Sequence, residues 1–421
     1  MNPIKNLPKT PMDLKKRKLL ISTSQSFEKV GGFLGISLST YMGRLYSLAL
    51  MLFFIFLSRT SWSIICTGHC EKQLTIKFTV LLWYSLTLLL LLSVVGTSLL
   101  RPKYFTFPFQ EMFMVDSILE LYGARFTAKD IFIIKYLQNI GAAVIMLLDI
   151  ALNVHTVYWN STFEITSFCL FNFYCRMCML VMDGLFSHHI NNIYLRFREL
   201  NKITIQHSRD NLSVSCIDFD VSANLGNKYN NAVVTKIRSI QHLHHRLYIL
   251  AKKINANFGL QNLIMSVISL SVIIYFLHDA YYNLIQGINV SYLIPHVYLI
   301  SFHVVRFFYT SYVCQRSKNE FQKMAIILHD AFLEYKSLRA EVVHFSLQLV
   351  HENLTFTALG LYEIDIPLMC SVVGAIITYF IMVIQLDTKF PSVIQNVTVI
   401  NSTITTTEES CQYYNFTSAI T

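Results

Sequence analysis

The sequence predicts an all-α membrane protein of seven transmembrane helices, with its N-terminus in the cytoplasm and its C-terminus outside. Three observations predict it. The chain is 53% hydrophobic and 14% charged, with a mean hydropathy of +0.45, which is more apolar than an ordinary soluble domain. Apolar stretches of roughly 20 residues, the length that crosses a hydrocarbon core of about 30 Å, recur along its length. The basic residues then sort by side. Of 34 lysines and arginines, 26 fall in residues 1–33, Arg101–Asp130, His188–Asn257 and Gln315–Asp365, against three (Arg59, Lys72, Lys389) in the segments left outside. Translocated loops exclude such charges, so the basic segments are cytoplasmic.

Residues 1–33 carry Lys5, Lys9, Lys15, Lys16, Arg17 and Lys18 and no apolar core ending in small residues. They read as a cytoplasmic arm with no cleavable signal peptide. The spans follow at Leu34–Leu57, Ile76–Leu99, Ile131–Val154, Ile165–Phe186, Phe258–Tyr281, Tyr292–Cys314 and Ile366–Leu386. The first six make a bundle over 34–314. Arg44, Asp149, Arg176 and Asp183 lie inside it, so the helices that carry them turn a polar face to protein or water.

The cytoplasmic segments at 188–257 and 315–365 are too patterned to be plain loops. Ile190, Ile193, Tyr194 and Phe197 continue the fourth span at helical spacing, and Ser208–Asn231 reads as a flexible linker. Val233–Ile254 is helical again, and so is Phe321–Leu349, with Met324, Ile327, Leu328, Phe332 and Leu338 on one stripe of an anchor helix that ends near Leu361. Either these stripes pack together as an anchor bundle under the spans, or they lie on anionic lipid.

Sequons give a second reading of sidedness, because the acceptor asparagine must face the lumen. Asn160, Asn289, Asn396, Asn401 and Asn415 fall outside and are expected to be glycosylated, while Asn211 and Asn353 fall inside and are not. Nine scattered cysteines make no disulfide scaffold. Cys66, Cys70 and Cys411 fall outside, and their pairing stays open.

The net charge of +9 is spread between apolar runs without a stacking-aromatic block, which excludes nucleic acid as a partner. His188-His189, His242, His244 and His245 are too few and wrongly spaced for a membrane di-iron enzyme, so neither an enzyme nor a metal or other cofactor is expected. A metabotropic heptahelical receptor would have its N-terminus outside and an Asp-Arg-Tyr after the third span, and a transporter two similar halves.

The last span, IPLMCSVVGAIITYFIMVIQLD, starts afresh, with Asp365 as N-cap and Pro367 in the first turn where its missing N–H costs nothing. Ser371, Ala375, Thr378, Met382 and Gln385 share one small or polar face. Such a face suits a tight helix–helix contact or a water-lined passage.

Thr378-Tyr379, five apolar residues and Gln385 resemble the signature near the C-terminus of insect gustatory receptors, with Leu386 in place of the usual Phe. The resemblance implies a homotetramer or heterotetramer in the plasma membrane of a sensory neuron. Its last helices would surround a non-selective cation pore opened by a small-molecule tastant from outside. It implies that 366–386 line the pore, with Thr378, Tyr379, Met382, Gln385 and Leu386 in the passage and the last two at its constriction. Asp387 at the outer mouth, and Glu363 and Asp365 at the inner one, would form acidic rings or simply cap the helix ends. A ligand pocket would lie in the outer half of the bundle. Candidates are Trp83 and Tyr84, Asp149 and Asn153 with His155, and Phe171 and Tyr174; then come Tyr275, His278 and Asp279, and His296 with His303. Each of these also suits packing or an interfacial belt, and Arg176 and Arg306 are candidate partners for Asp149 and Asp279. The tail 387–421 is expected outside, without an assigned role.

Overall fold

The computed structural model describes residues 27–36, 40–68, 74–101, 108–124, 128–159, 162–215, 223–285, 293–332 and 338–389. A short helix α1 (27–33) precedes α2 (Tyr41–Gly68), α3 (Leu74–Leu100), α4 (Phe109–Leu121), α5 (Ala128–Trp159), α6 (Phe163–Ser215), α7 (Ala223–Ile285), α8 (Leu293–Phe332) and α9 (Arg339–His351). A hairpin of β1 (Thr357–Ala358) and β2 (Tyr362–Glu363) then leads to α10 (Ile366–Lys389). Among the described residues α2, α3, α5, α6, α7 and α8 are long and apolar enough to cross a membrane, and α10 adds a shorter apolar stretch, Ile366–Met382.

Length explains the architecture. With 53, 63 and 40 residues, α6, α7 and α8 run to ~80, ~95 and ~60 Å at 1.5 Å per residue. Each overshoots a bilayer core of about 30 Å by several turns. The overshoot is where the helical stripes meet. Ile190, Ile193, Phe197 and Leu200 of α6, Ile240, Leu243 and Leu247 of α7, Phe321, Met324 and Leu328 of α8, and Val342 and Phe345 of α9 are buried in one core. The packed bundle, not the helix on lipid, is the form these stripes take in the structure. Phe197, Phe321 and Phe345 close around His244, whose ring lies 5.2, 4.6 and 5.9 Å from theirs.

Two expectations need correction, and one helix was not anticipated. The stretch Ser208–Asn231 is not a linker throughout: α6 runs to Ser215 and α7 begins at Ala223, because Asn and Ser lower helix propensity by only tenths of a kcal/mol and do not by themselves end a helix. The anchor segment 315–365 is not one helix. Its first part is the end of α8, α9 ends at His351, and the hairpin occupies the stretch expected to be helical up to Leu361. Within Arg101–Asp130, which the sequence placed in the cytoplasm without assigning it a structure, lies α4. Met112, Val115 and Leu119 bury its apolar face, and Asp116 pairs with the buried Arg196 of α6 through two bonds of 2.8 and 2.7 Å.

The hairpin is held at its base. Asn255 of α7 accepts from the Thr357 amide at 3.0 Å and donates to its hydroxyl at 3.2 Å, and Lys318 of α8 pairs with Glu363 at 2.7 Å. Its turn places Leu359 at φ 53° and Gly360 at φ 78°, the left-handed region that costs a side chain energy. Leu359 is held there against Gly259, where an added Cβ would stand 3.1 Å from the Leu359 nitrogen.

Candidate functional site

Helix α10 begins as its sequence dictates, with the Asp365 carboxylate accepting the Leu368 amide at 3.0 Å. From there two faces diverge. Val372, Ile376, Tyr379, Phe380 and Ile384 are partly buried, and the Phe380 ring meets Tyr281 of α7 edge-on at 6.0 Å. Ser371, Ala375, Thr378, Met382 and Gln385 are exposed along the other face, with the Thr378 hydroxyl turned back to donate to the Gly374 carbonyl at 2.9 Å. Tyr379 is partly buried on the packed side, since 100° of helix rotation separates it from Thr378. Leu386 and Asp387 continue α10, but their side chains lie outside the described residues. Glu363 belongs to the hairpin and its Lys318 ion pair, and Asp365 to the cap.

The pocket candidates separate into three clusters. In the first, Trp83 of α3 lies 6.1 Å from Tyr275 and 6.3 Å from Phe276 of α7, and Phe276 meets His296 of α8 at 5.3 Å. His296 Nε2 is 2.9 Å from Asp279 Oδ2, and His278 is buried nearby on α7. Three aromatic faces thus stand beside a carboxylate–imidazole pair, a combination that suits a small organic ligand with one polar group. In the second, Arg176 of α6 donates through Nε to both Asp149 oxygens at 2.9 and 3.1 Å, and its Nη2 lies 3.4 Å from Asn153 Oδ1. In the third, Phe54 stacks on Tyr174 at 3.7 Å and Tyr84 meets Phe171 at 5.5 Å. The hydroxyls here serve the backbone: Tyr84 donates to the Ser58 carbonyl, and Tyr174 to that of Leu34 at 2.8 Å. This cluster joins α2, α3 and α6 as packing.

Arg176 is the partner of Asp149, as expected, but Arg306 is not the partner of Asp279. Its Nε lies 3.1 Å from Asp183, and its Nη2 donates to Ser269 Oγ at 2.6 Å and to the Met265 carbonyl at 3.1 Å. The reason is depth: Arg306 is nearly three helical turns past His296 along α8. Asn262, Ser266 and Thr310 gather beside this pair, and sequence reasoning passed over them because neutral polar residues in a span carry little signal alone. His303 Nδ1 lies 3.1 Å from the same Ser269.

Outside the membrane stretch, His245 of α7 contacts Glu352 at 2.5 Å, and Gln348 donates to the same carboxylate at 2.8 Å. Burial disfavours the charged Glu352, but the imidazoles of His244, 3.7 Å away, and His245, in hydrogen-bond contact, outweigh it and hold the carboxyl below the usual glutamate range. No group of three or more His, Cys, Asp or Glu positioned for a metal ion occurs among the described residues. The sequons Asn160, Asn289, Asn396, Asn401 and Asn415 lie outside the described residues, as do Cys70 and Cys411.

Comparison with known proteins adds three findings. The family described as 7tm chemosensory receptor matches residues 34–390. Two Drosophila melanogaster proteins are similar to parts of the chain: "Putative gustatory receptor 28b" at 28% identity and "Putative gustatory receptor 2a" at 27%. These alignments cover 38% and 18% of this chain, and 37% and 22% of those relatives. The insect olfactory receptor OR5 from Machilis hrabei shares the fold, with a TM-score of 0.58 at 11% identity over 87% of this chain and 99% of that one. Its complex with eugenol aligns with a TM-score of 0.56.

Proposed function

The chain belongs to the 7tm chemosensory receptor family, and from that premise we propose that it is a ligand-gated, non-selective cation channel opened by a small-molecule tastant. The observation that carries the proposal is that α10 packs Val372, Ile376, Phe380 and Ile384 toward its own bundle and leaves the small or weakly polar stripe of Ser371, Ala375, Thr378, Met382 and Gln385 exposed, with Val373, Ile377 and Ile381 exposed beside it. In a tetramer of such chains, homomeric or heteromeric, that stripe would line a central passage. Thr378, Met382 and Gln385 would line it, and Leu386 would join Gln385 at the constriction, where a bulky apolar ring dewets the pore. Asp387 would concentrate cations at the outer mouth.

The charge distribution supports a cytoplasmic N-terminus and a cytoplasmic α6–α9 bundle, with the 387–421 tail outside. The cluster of Trp83, Tyr275, Phe276, Asp279 and His296 is then the candidate ligand site on the outer side. Its contact with α10 is short, since Tyr281 lies on the same helix as Asp279 and touches Phe380. A ligand that wedges the aromatic faces apart would rotate this end of α7 and draw α10 from the axis. The eugenol complex of OR5 supports small organic molecules as the ligand class.

The test is whole-cell current from the chain expressed alone under a panel of sugars and plant alkaloids, with Gln385→Ala as the pore variant. A ligand-evoked cation current, with ion selectivity or block altered in the variant, is the expected result. Unchanged selectivity, block and gating would remove α10 from the pore.

A further inference from the structure

A half-open cavity lies below the candidate ligand cluster, lined by α6, α7 and α8 and by Ile364, which follows the hairpin just before α10 is capped. About 20 Å³ of it is open to the centres of water-sized molecules, room for one or two waters. Its walls are polar in a way that packing does not explain. Asn262, 4% exposed, has neither its amide nitrogen nor its oxygen hydrogen-bonded. Arg306 lacks a hydrogen bond at Nε and Nη1, and Asp183 at Oδ2, although Nε and Oδ2 stand 3.1 Å apart as an ion pair. Orphaned donors and acceptors from three helices thus converge on one space. Such groups are costly to bury unless a solvent molecule completes them.

We propose that this chamber is a hydrated latch, in which water bridging Asn262, Asp183 and Arg306 completes a loosely paired salt bridge and holds the hairpin, and through it the root of α10, against the bundle. Neighbouring bonds set the linkage. Ile364 is fixed to the hairpin by its amide, which donates to the Phe356 carbonyl at 2.7 Å, and the Tyr362 hydroxyl faces Ser266. The hairpin is in turn clamped to α7 by Asn255 and to α8 by Lys318. Movement of α8 relative to α6 therefore changes the chamber and the hairpin together. Water tolerates that movement because it re-forms hydrogen bonds to shifted partners, where a fully paired contact would resist. The part of this inference that concerns channel opening rests on the proposed function. The chamber and its grip on the hairpin do not.

Two measurements on the full chain in lipid nanodiscs test it without a current. In X-ray radiolysis with mass spectrometry, Met265, buried in the cavity wall, is expected to be oxidised by the water beside it. Asn262→Leu is expected to suppress that labelling. In hydrogen exchange, segment 356–364 is expected to open roughly tenfold faster in Asp183→Asn, the size of an ordinary coupling between sites. Ile364→Ala, which leaves the ion pair intact, should act in the same direction and serves if Asp183→Asn fails to fold. An unlabelled Met265, or exchange unchanged in the variant that folds, overturns the latch. A chain that passes both measurements while Gln385→Ala leaves selectivity, block and gating unchanged overturns the pore reading instead.

Discussion

Two of the arginine–aspartate pairs that join the long helices, Arg176–Asp149 and Arg306–Asp183, are built to opposite standards. Arg176 and Asp149 meet through one nitrogen and both carboxylate oxygens, and Asn153 contacts the guanidinium while donating to the Asp149 carbonyl at 2.6 Å. Arg306 and Asp183 meet through one nitrogen and one oxygen that make no hydrogen bond, with Nη1 of the guanidinium left over. The first pair closes α5 on α6. The second spans α6 and α8 next to open space. Identical residue types therefore do different things: a completed buried network rigidifies its surroundings, and an incomplete one leaves room for a second arrangement.

That contrast can be broken most forcefully at the closed pair. Asp149→Ala strands a buried guanidinium, at an expected cost of about 3–5 kcal/mol. Fluorescence-detected size exclusion after heating should show the loss, and Asp149→Ala with Arg176→Met should recover most of it. Asp183→Ala should cost less, because Arg306 keeps its bonds to Ser269 and Met265; equal losses would erase the distinction. A smaller effect is expected at the hairpin. Gly259→Val drives a side chain into Leu359, costing about 1–3 kcal/mol, and should loosen the hairpin without touching either pair. Removing the α10 cap with Asp365→Ala should cost about 1 kcal/mol, read as faster exchange in the first turn of that helix.

The smallest effect concerns pH at the α7–α9 contact. Glu352 has its carboxyl held below the ordinary glutamate value of 4.5, so its contribution to stability is present above that value and lost as pH falls through the lower folded-state value. Glu352→Gln should remove this acid-side slope by lowering the unfolding midpoint at neutral pH, where the contribution is present, while leaving the midpoint in acid nearly unchanged. A slope that persists would assign it to other carboxylates.

Much of the bundle was legible in advance. The stripes at Ile190–Phe197 and Phe321–Leu328 named the core residues that the extramembrane bundle buries, because helical periodicity records which side of a helix is dry. The α10 cap was legible for the same local reason. The pocket was less so: Trp83, Tyr275, Asp279 and His296 come together, whereas Tyr84, Phe171 and Tyr174 pack elsewhere and Asp149 with Asn153 serves Arg176. An aromatic in a span looks alike in sequence whether it faces a ligand or a neighbour.

By itself the sequence determined the helical class, the sidedness bias of its basic residues, the fresh start of the last helix and the small face upon it. These depend on local periodicity, composition and capping, which act within a few residues. Only the tertiary structure decided that α6 and α7 extend into the polar stretch from either side, that Leu359 takes a left-handed turn over Gly259, and that Arg306 pairs with Asp183. Each depends on groups distant in sequence meeting at one depth, and a buried charge is satisfied by whichever partner the packing brings within reach.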